Sequence, residues 1–205
     1  MSKRAFDAWF AWVQPTEGGY NYRPANEDAG GPTNHGIIWT TYQSVAPKVG
    51  LPVSFDYFKN RFTTNDARKI AYWLWENWMW GNSIKNDAIA IGVAYAYWGG
   101  HGAPMVQFIQ KWLNQNAGFK LEYTGMGPIT LKALNSLNET QNVQLIRDMT
   151  EFKYRFMASL PNAQYNQGWF NARKGYEALL QSVSGSSTSI FTIGLLFLLT
   201  YLIVK

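Results

Sequence analysis

The sequence predicts a mainly α protein, and three observations carry that prediction. Apolar residues recur at helical spacing over most of the chain, no alternating run is long enough for a substantial strand, and the carboxyl-terminal end carries an unbroken apolar run. Its 205 residues, 47% of them apolar and 17% aromatic, are ample for a packed core and exclude a disordered chain.

The first predicted helix covers residues 4–13, where Phe6, Trp9, Phe10 and Val13 fall on one face, and Pro15 is expected to disturb its last turn. Residues 64–80 (TNDARKIAYWLWENWMW) read as a second helix, with Thr64 or Asn65 as cap. Residues 87–98 (DAIAIGVAYAYW) are almost wholly apolar with small residues interspersed, which predicts a buried central helix ended by GGHGAP. Residues 105–116 form the next amphipathic segment, and Thr130 is expected to cap a helix over 131–137. Residues 143–160 and 170–180 complete the set, and only short extended pieces are expected near Tyr20 and Gly36 to Ile38.

After a Ser/Gly segment at 182–189, with the composition of a tether, comes IFTIGLLFLLTYLIV, from Ile190 to Val204, followed by Lys205. Apolar all round, it predicts a C-terminal single transmembrane helix that places the protein on a membrane, although 15 residues reach only about 22 Å as a helix and a bilayer core is about 30 Å thick. The amino terminus does not read as a signal peptide, since Asp7 interrupts its apolar residues and no small-residue cleavage site follows.

A net charge of +5 favours an anionic partner, but the basic residues form no run, which argues against nucleic acid. Without cysteine there is neither a disulfide framework nor a thiolate metal site, and with His35 and His101 as the two imidazoles no metal or other cofactor is expected.

The densest chemistry lies in TEGGYNYRPANEDAGGPTNHGI, residues 16–37. Suppose Glu17 ends the first helix and the loop brings Asp28 and Thr33 beside it. One carboxyl in partly apolar surroundings then keeps its proton for a leaving oxygen, while a solvated carboxylate stabilises a cation or activates water. That division of labour is what glycoside hydrolysis needs, with Thr33 orienting the water and Gly18, Gly19, Gly30 and Gly31 letting backbone approach a sugar.

The run Glu17-Gly-Gly-Tyr20, Asp28, Gly30-Gly31, Thr33-Asn34 and Gly36-Ile37 resembles the amino-terminal signature of glycoside hydrolase family 108, the secretion-activator and phage-endolysin type of N-acetylmuramidase. Gln110, GMGPITLKAL at 125–134, Arg147 and NQGWFNAR at 166–173 resemble that family's peptidoglycan-binding region. The resemblance implies a lysozyme-like helical domain with a short extended or hairpin segment at the active-site loop. It also implies cleavage of the β-1,4 bond between N-acetylmuramic acid and N-acetylglucosamine. On it, residues 1–100 are the muramidase region and 101–181 the wall-binding part packed with it, while composition alone makes 182–189 a linker and 190–204 the anchor.

The resemblance makes Glu17 the general acid, and the spacing from Glu17 to Asp28 to Thr33, which is also similar to the Glu, Asp, Thr arrangement of phage-type lysozymes, gives Asp28 and Thr33 electrostatic or water-positioning roles. Gly19, Tyr20, Asn34, His35 and Trp98 are the expected substrate contacts, Trp98 replacing by stacking the polar residues usual before the glycine of that family's central helix. The partners implied are peptidoglycan, a lipid bilayer through Ile190 to Val204, and other virion proteins, in a setting of local wall degradation during phage infection or host lysis. Two readings stand beside it: a lytic transglycosylase, which needs Glu17 but not Asp28, and a non-catalytic wall-binding virion structural protein.

Overall fold

The computed structural model describes residues 2–22, 31–123, 125–160, 168 and 171–184. They fall into two compact units, Met1–Ser83 and Ile84–Lys205.

The first unit opens with α1, Ser2–Glu17, which runs through Pro15 rather than being disturbed by it. A proline near a helix end forfeits one backbone bond, here to the carbonyl of exposed Ala11, and the remaining turn survives. The chain returns as β1 (Thr33–Asn34) and β2 (Ile37–Ile38), a two-stranded antiparallel hairpin pairing Thr33 with Ile38 and Asn34 with Ile37. His35 at φ 48° and Gly36 at φ 78° form its two-residue turn. Two positive φ values give a type I′ turn, whose twist matches that of the strands.

Next come α2 (Trp39–Val45), a 3-10 turn at Ala46–Val49, α3 (Phe55–Asn60) and α4 (Thr64–Asn77). Neither expected residue caps α4. Thr63 does so, accepting from the Asp66 amide while the Asp66 carboxylate accepts from the Thr63 amide.

Helices α1 and α4 pack through large rings: Trp9 stacks on Trp75 with centroids 5.8 Å apart, and Phe6 meets Trp75 edge-on. A Cβ on Gly81 would lie 2.0 Å from the Trp75 indole, so the turn after α4 closes onto that ring as only glycine allows. A second aromatic cluster joins the hairpin region to α3 through Trp39, Tyr42, Phe55, Phe58 and Phe62.

In the second unit α5 (Asp87–Trp98) has buried residues all round, as its uninterrupted apolar sequence predicts. Around it pack α6 (Gly102–Asn116), α8 (Glu139–Ala158) and α9 (Arg173–Val183), with α7 (Pro128–Leu134) against α6. Gly92 permits the approach of α8 and α9, because a Cβ there would come within 2.8 Å of Met149 and 3.3 Å of the Tyr176 hydroxyl. Thr130 does not cap a helix. Pro128 starts α7, and the Thr130 hydroxyl accepts from Gln110, which also donates to the Gly125 carbonyl.

The membrane part of the expected fold is corrected. Among the described residues no helix is long and apolar enough to cross a membrane, and the run at 190–204 lies outside them. The physical reason is length and charge. That run reaches about 22 Å against a core of about 30 Å, apolar α5 has only 12 residues, and the 20 residues of α8 include Arg147, Asp148, Glu151, Lys153 and Arg155. Among the described residues the architecture is mainly helical with one short hairpin, and localisation by a C-terminal anchor is not supported.

Candidate active site

Glu17 is the last residue of α1 and is half-buried. Gly18 follows at φ 65°, the left-handed conformation that ends a helix and turns the chain away. The loop is then closed on itself: the Asn21 amide donates to the Thr33 carbonyl and the Thr33 amide to the Asn21 carbonyl, each at 2.8 Å. This places Thr33 across from the segment that leaves Glu17, its hydroxyl donating to the Gly31 carbonyl at 3.2 Å.

The hairpin is fastened from two sides. Gln14 donates through Nε2 to His35 Nδ1 at 3.0 Å, and the imidazole leans on the Phe62 ring. Gln14 precedes Glu17 by three positions, so both side chains share a face of α1, and that face meets the hairpin turn. On the other side buried Asn34 donates to the Phe58 carbonyl at 2.6 Å, binding β1 to α3. This amide is engaged by the protein's own backbone.

Beside the loop Tyr20 sits edge-on to Phe55 and Phe58, with the Lys59 ammonium 5.4 Å from its ring centroid. Trp39 meets Phe55 edge-on at 5.1 Å, and Phe55 is 42% exposed, so this aromatic wall reaches solvent. Gly19 is exposed, and a Cβ there would meet nothing within 4 Å, so open space adjoins the residue two beyond Glu17.

Of the expected site residues, Glu17, Gly19 and Tyr20 lead into the loop closed by the Asn21 to Thr33 bridge, and Thr33, Asn34 and His35 lead out of it through the hairpin of the first unit. Asp28 and Gly30 lie outside the described residues, and Trp98 is the half-buried last residue of α5 in the second unit. Gln14, Trp39 and Phe55 also border the loop and were not singled out from the sequence. The i, i+3 spacing of Gln14 from Glu17 is the signal that would have marked the first. Among the described residues no group of three or more His, Asp or Glu is placed to hold a metal ion.

Residues 10–102 match the family described as Glycosyl hydrolase 108. Among solved structures the chain is similar to that of Brucella abortus SagA, at 21% sequence identity and a TM-score of 0.65, over 90% of this chain and 98% of that one. At that identity the likeness is one of fold. No curated protein matches the sequence.

Proposed function

We propose that the chain, whose residues 10–102 match the family described as Glycosyl hydrolase 108, is a glycoside hydrolase acting on peptidoglycan, and that Glu17 is the general acid for cleavage of the muramic acid to glucosamine β-1,4 bond. The observation that carries the assignment is the closed loop: Glu17 ends α1 where the chain doubles back through the Asn21 to Thr33 bridge and the hairpin locked by Gln14 and Asn34. A carboxyl on a helix end braced in this way holds its position while a proton is delivered, and that positioning is what general acid catalysis needs.

In this reading the glycan lies along the exposed side of Gly19, with Tyr20 and the Phe55 edge of the aromatic wall against its apolar faces. Glu17 donates its proton to the glycosidic oxygen as the bond breaks, and water adds to the oxocarbenium-like centre. Asp28 is our choice for the carboxylate that stabilises that centre or activates the water, on the sequence spacing alone. Thr33 positions the water and His35 lines the turn. The region 101–181 serves as the wall-binding part. Resemblance of the Glu17 motif to phage endolysins puts this chemistry in wall degradation during phage infection or lysis.

The mass of the released fragments tests the reaction type. Fragments ending in a hydrated, reducing muramic acid are expected. Products lighter by one water would mean that the sugar's own hydroxyl replaces water, the transglycosylase outcome, in which Asp28→Asn retains activity.

A further inference from the structure

We propose that the first unit carries a second binding pocket, at the opposite end of α1 from Glu17, for carboxylate groups on the peptide stems of the wall polymer. The proposal names a second contact with the substrate assigned above and rests on that reading. Between α1 and α4 lies a cavity of about 580 Å³ lined by Lys3, Phe6, Asn65, Arg68, Lys69 and Tyr72. That volume is within the range of about 300–1,000 Å³ usual for sites that hold small organic groups. Lys3 precedes Glu17 by 14 positions, roughly 21 Å along the helix. The cavity is thus remote from the proposed proton donor.

Its chemistry is cationic over an aromatic floor. Arg68 lies over the Phe6 ring, 5.0 Å from the centroid, and within 5.9 Å of Phe10, while its Nη2 donates to Asp7. Stacking and one ion pair fix the plane of a guanidinium that has five N–H donors in all, so a planar fork is set before any ligand arrives. Lys69 pairs with Asp66 at 3.2 Å, a carboxylate already held by Thr63 and Tyr57. Against Asp7 and Asp66 stand three cations, leaving an excess of one positive charge at Lys3, Arg68 and Lys69 together.

Tyr72, edge-on to Phe6 at 4.9 Å, and Asn65 add hydrogen-bonding groups beside the ring. A bare inorganic anion uses the charge and leaves the half-buried Tyr72 ring uncovered, the Phe6 ring being already covered by Arg68. A carboxylate on a short aliphatic body uses both, and peptide stems present such groups along the glycan. Occupation of this pocket holds the strand at a second point without touching the bond being cut.

The test is made in the Glu17→Gln background, with a sugar-free stem tetrapeptide bearing free carboxylates, the same peptide amidated, and inorganic phosphate as probes. The free peptide is expected to bind in a salt-sensitive way. Amidation, or the pair Lys3→Gln and Lys69→Gln, is expected to weaken it at least tenfold, and Lys3→Gln alone to weaken it with the melting temperature unchanged. Lys3→Glu alone provides a second variant, since no described ion pair includes Lys3. In the parent chain Lys3→Gln is expected to raise KM on whole sacculi while leaving turnover of short soluble glycans unchanged.

Equal binding by all variants, or no saturable binding of the free peptide, overturns the pocket. Phosphate bound as tightly as peptide, with the same sensitivity to Lys3, overturns the peptide-stem assignment. Failure of the parent chain to cleave sacculi is a separate result that strikes the catalytic reading and leaves peptide binding to be judged on its own.

Discussion

Gln14 does work at the residue scale that no motif announces: one turn before Glu17, its amide reaches 21 positions along the chain to hold the His35 ring. His35 sits at φ 48°, a backbone region that costs a non-glycine residue of order 1 kcal/mol, and the imidazole is steadied there by Gln14 and Phe62. Gln14→Ala is therefore expected to lower kcat/KM on sacculi by about tenfold while costing only about 1 kcal/mol of stability, a split read from kinetics beside a urea melt. A fall in stability with activity intact would make the bond purely structural. Glu17, Tyr20, Thr33, Asn34 and His35 stand out in the sequence because glycines crowd around them. Asn34 shows the limit of such reading: its side chain looked suited to a ligand, and the fold spends it on the Phe58 carbonyl. Trp39 and Phe55 were missed because their pairing depends on how α2 and α3 cross, which spacing along the chain does not encode.

At the scale of elements, what was legible followed the strength of local signals. The α5 boundaries were readable because an unbroken apolar run meets Asn86 and Gly99, whereas α2 and α3 are seven and six residues long and offer too few turns for a period to emerge. The cap of α4 was misplaced by one or two residues, since Thr63, Thr64 and Asn65 are all competent caps and only the reciprocal bonds with Asp66 choose among them. Burial opposes ionisation of Asp66, but hydrogen bonds from Thr63, Tyr57 and Lys69 outweigh it and lower its pKa. Thr63→Ala should accordingly cost about 1 kcal/mol, measured by denaturant unfolding, with a smaller loss in Thr63→Ser. Gly81→Ala should cost more, on the order of 3 kcal/mol, because the added methyl must displace the Trp75 ring from its stack on Trp9. A neutral Gly81→Ala would show that this turn opens easily.

For the molecule as a whole, acid is the expected weakness, and the second unit contains the reason. His101 Nδ1–H donates to the Gly99 carbonyl at 2.8 Å and Nε2 accepts at 2.9 Å from Nζ of Lys153, which reaches the α5 to α6 turn from α8, and both side chains are buried. Burial, reinforced by the Lys153 charge and opposed by the bond to Gly99, lowers the His101 pKa from 6.5 to about 4. Burial likewise lowers that of Lys153. Between pH 6.5 and about 4 the unfolded chain binds a proton at His101 that the folded chain refuses, so stability falls on acidification across that window. The loss from His101 is at most roughly 3 kcal/mol, and it levels off below the folded pKa. Unfolding free energies at pH 6.5, 5 and 4 should show this slope in the parent chain and a flatter one in His101→Gln. An unchanged slope would refute the buried neutral imidazole. The central claim concerns Glu17 and is tested most directly by fragment release from purified peptidoglycan, comparing the parent chain with Glu17→Gln. Loss of release by at least a hundredfold, with melting temperature and sacculus binding unchanged, is the predicted result, because the amide keeps the shape of the carboxyl and has no proton to give. Release at the parent rate would contradict it and place the acid elsewhere.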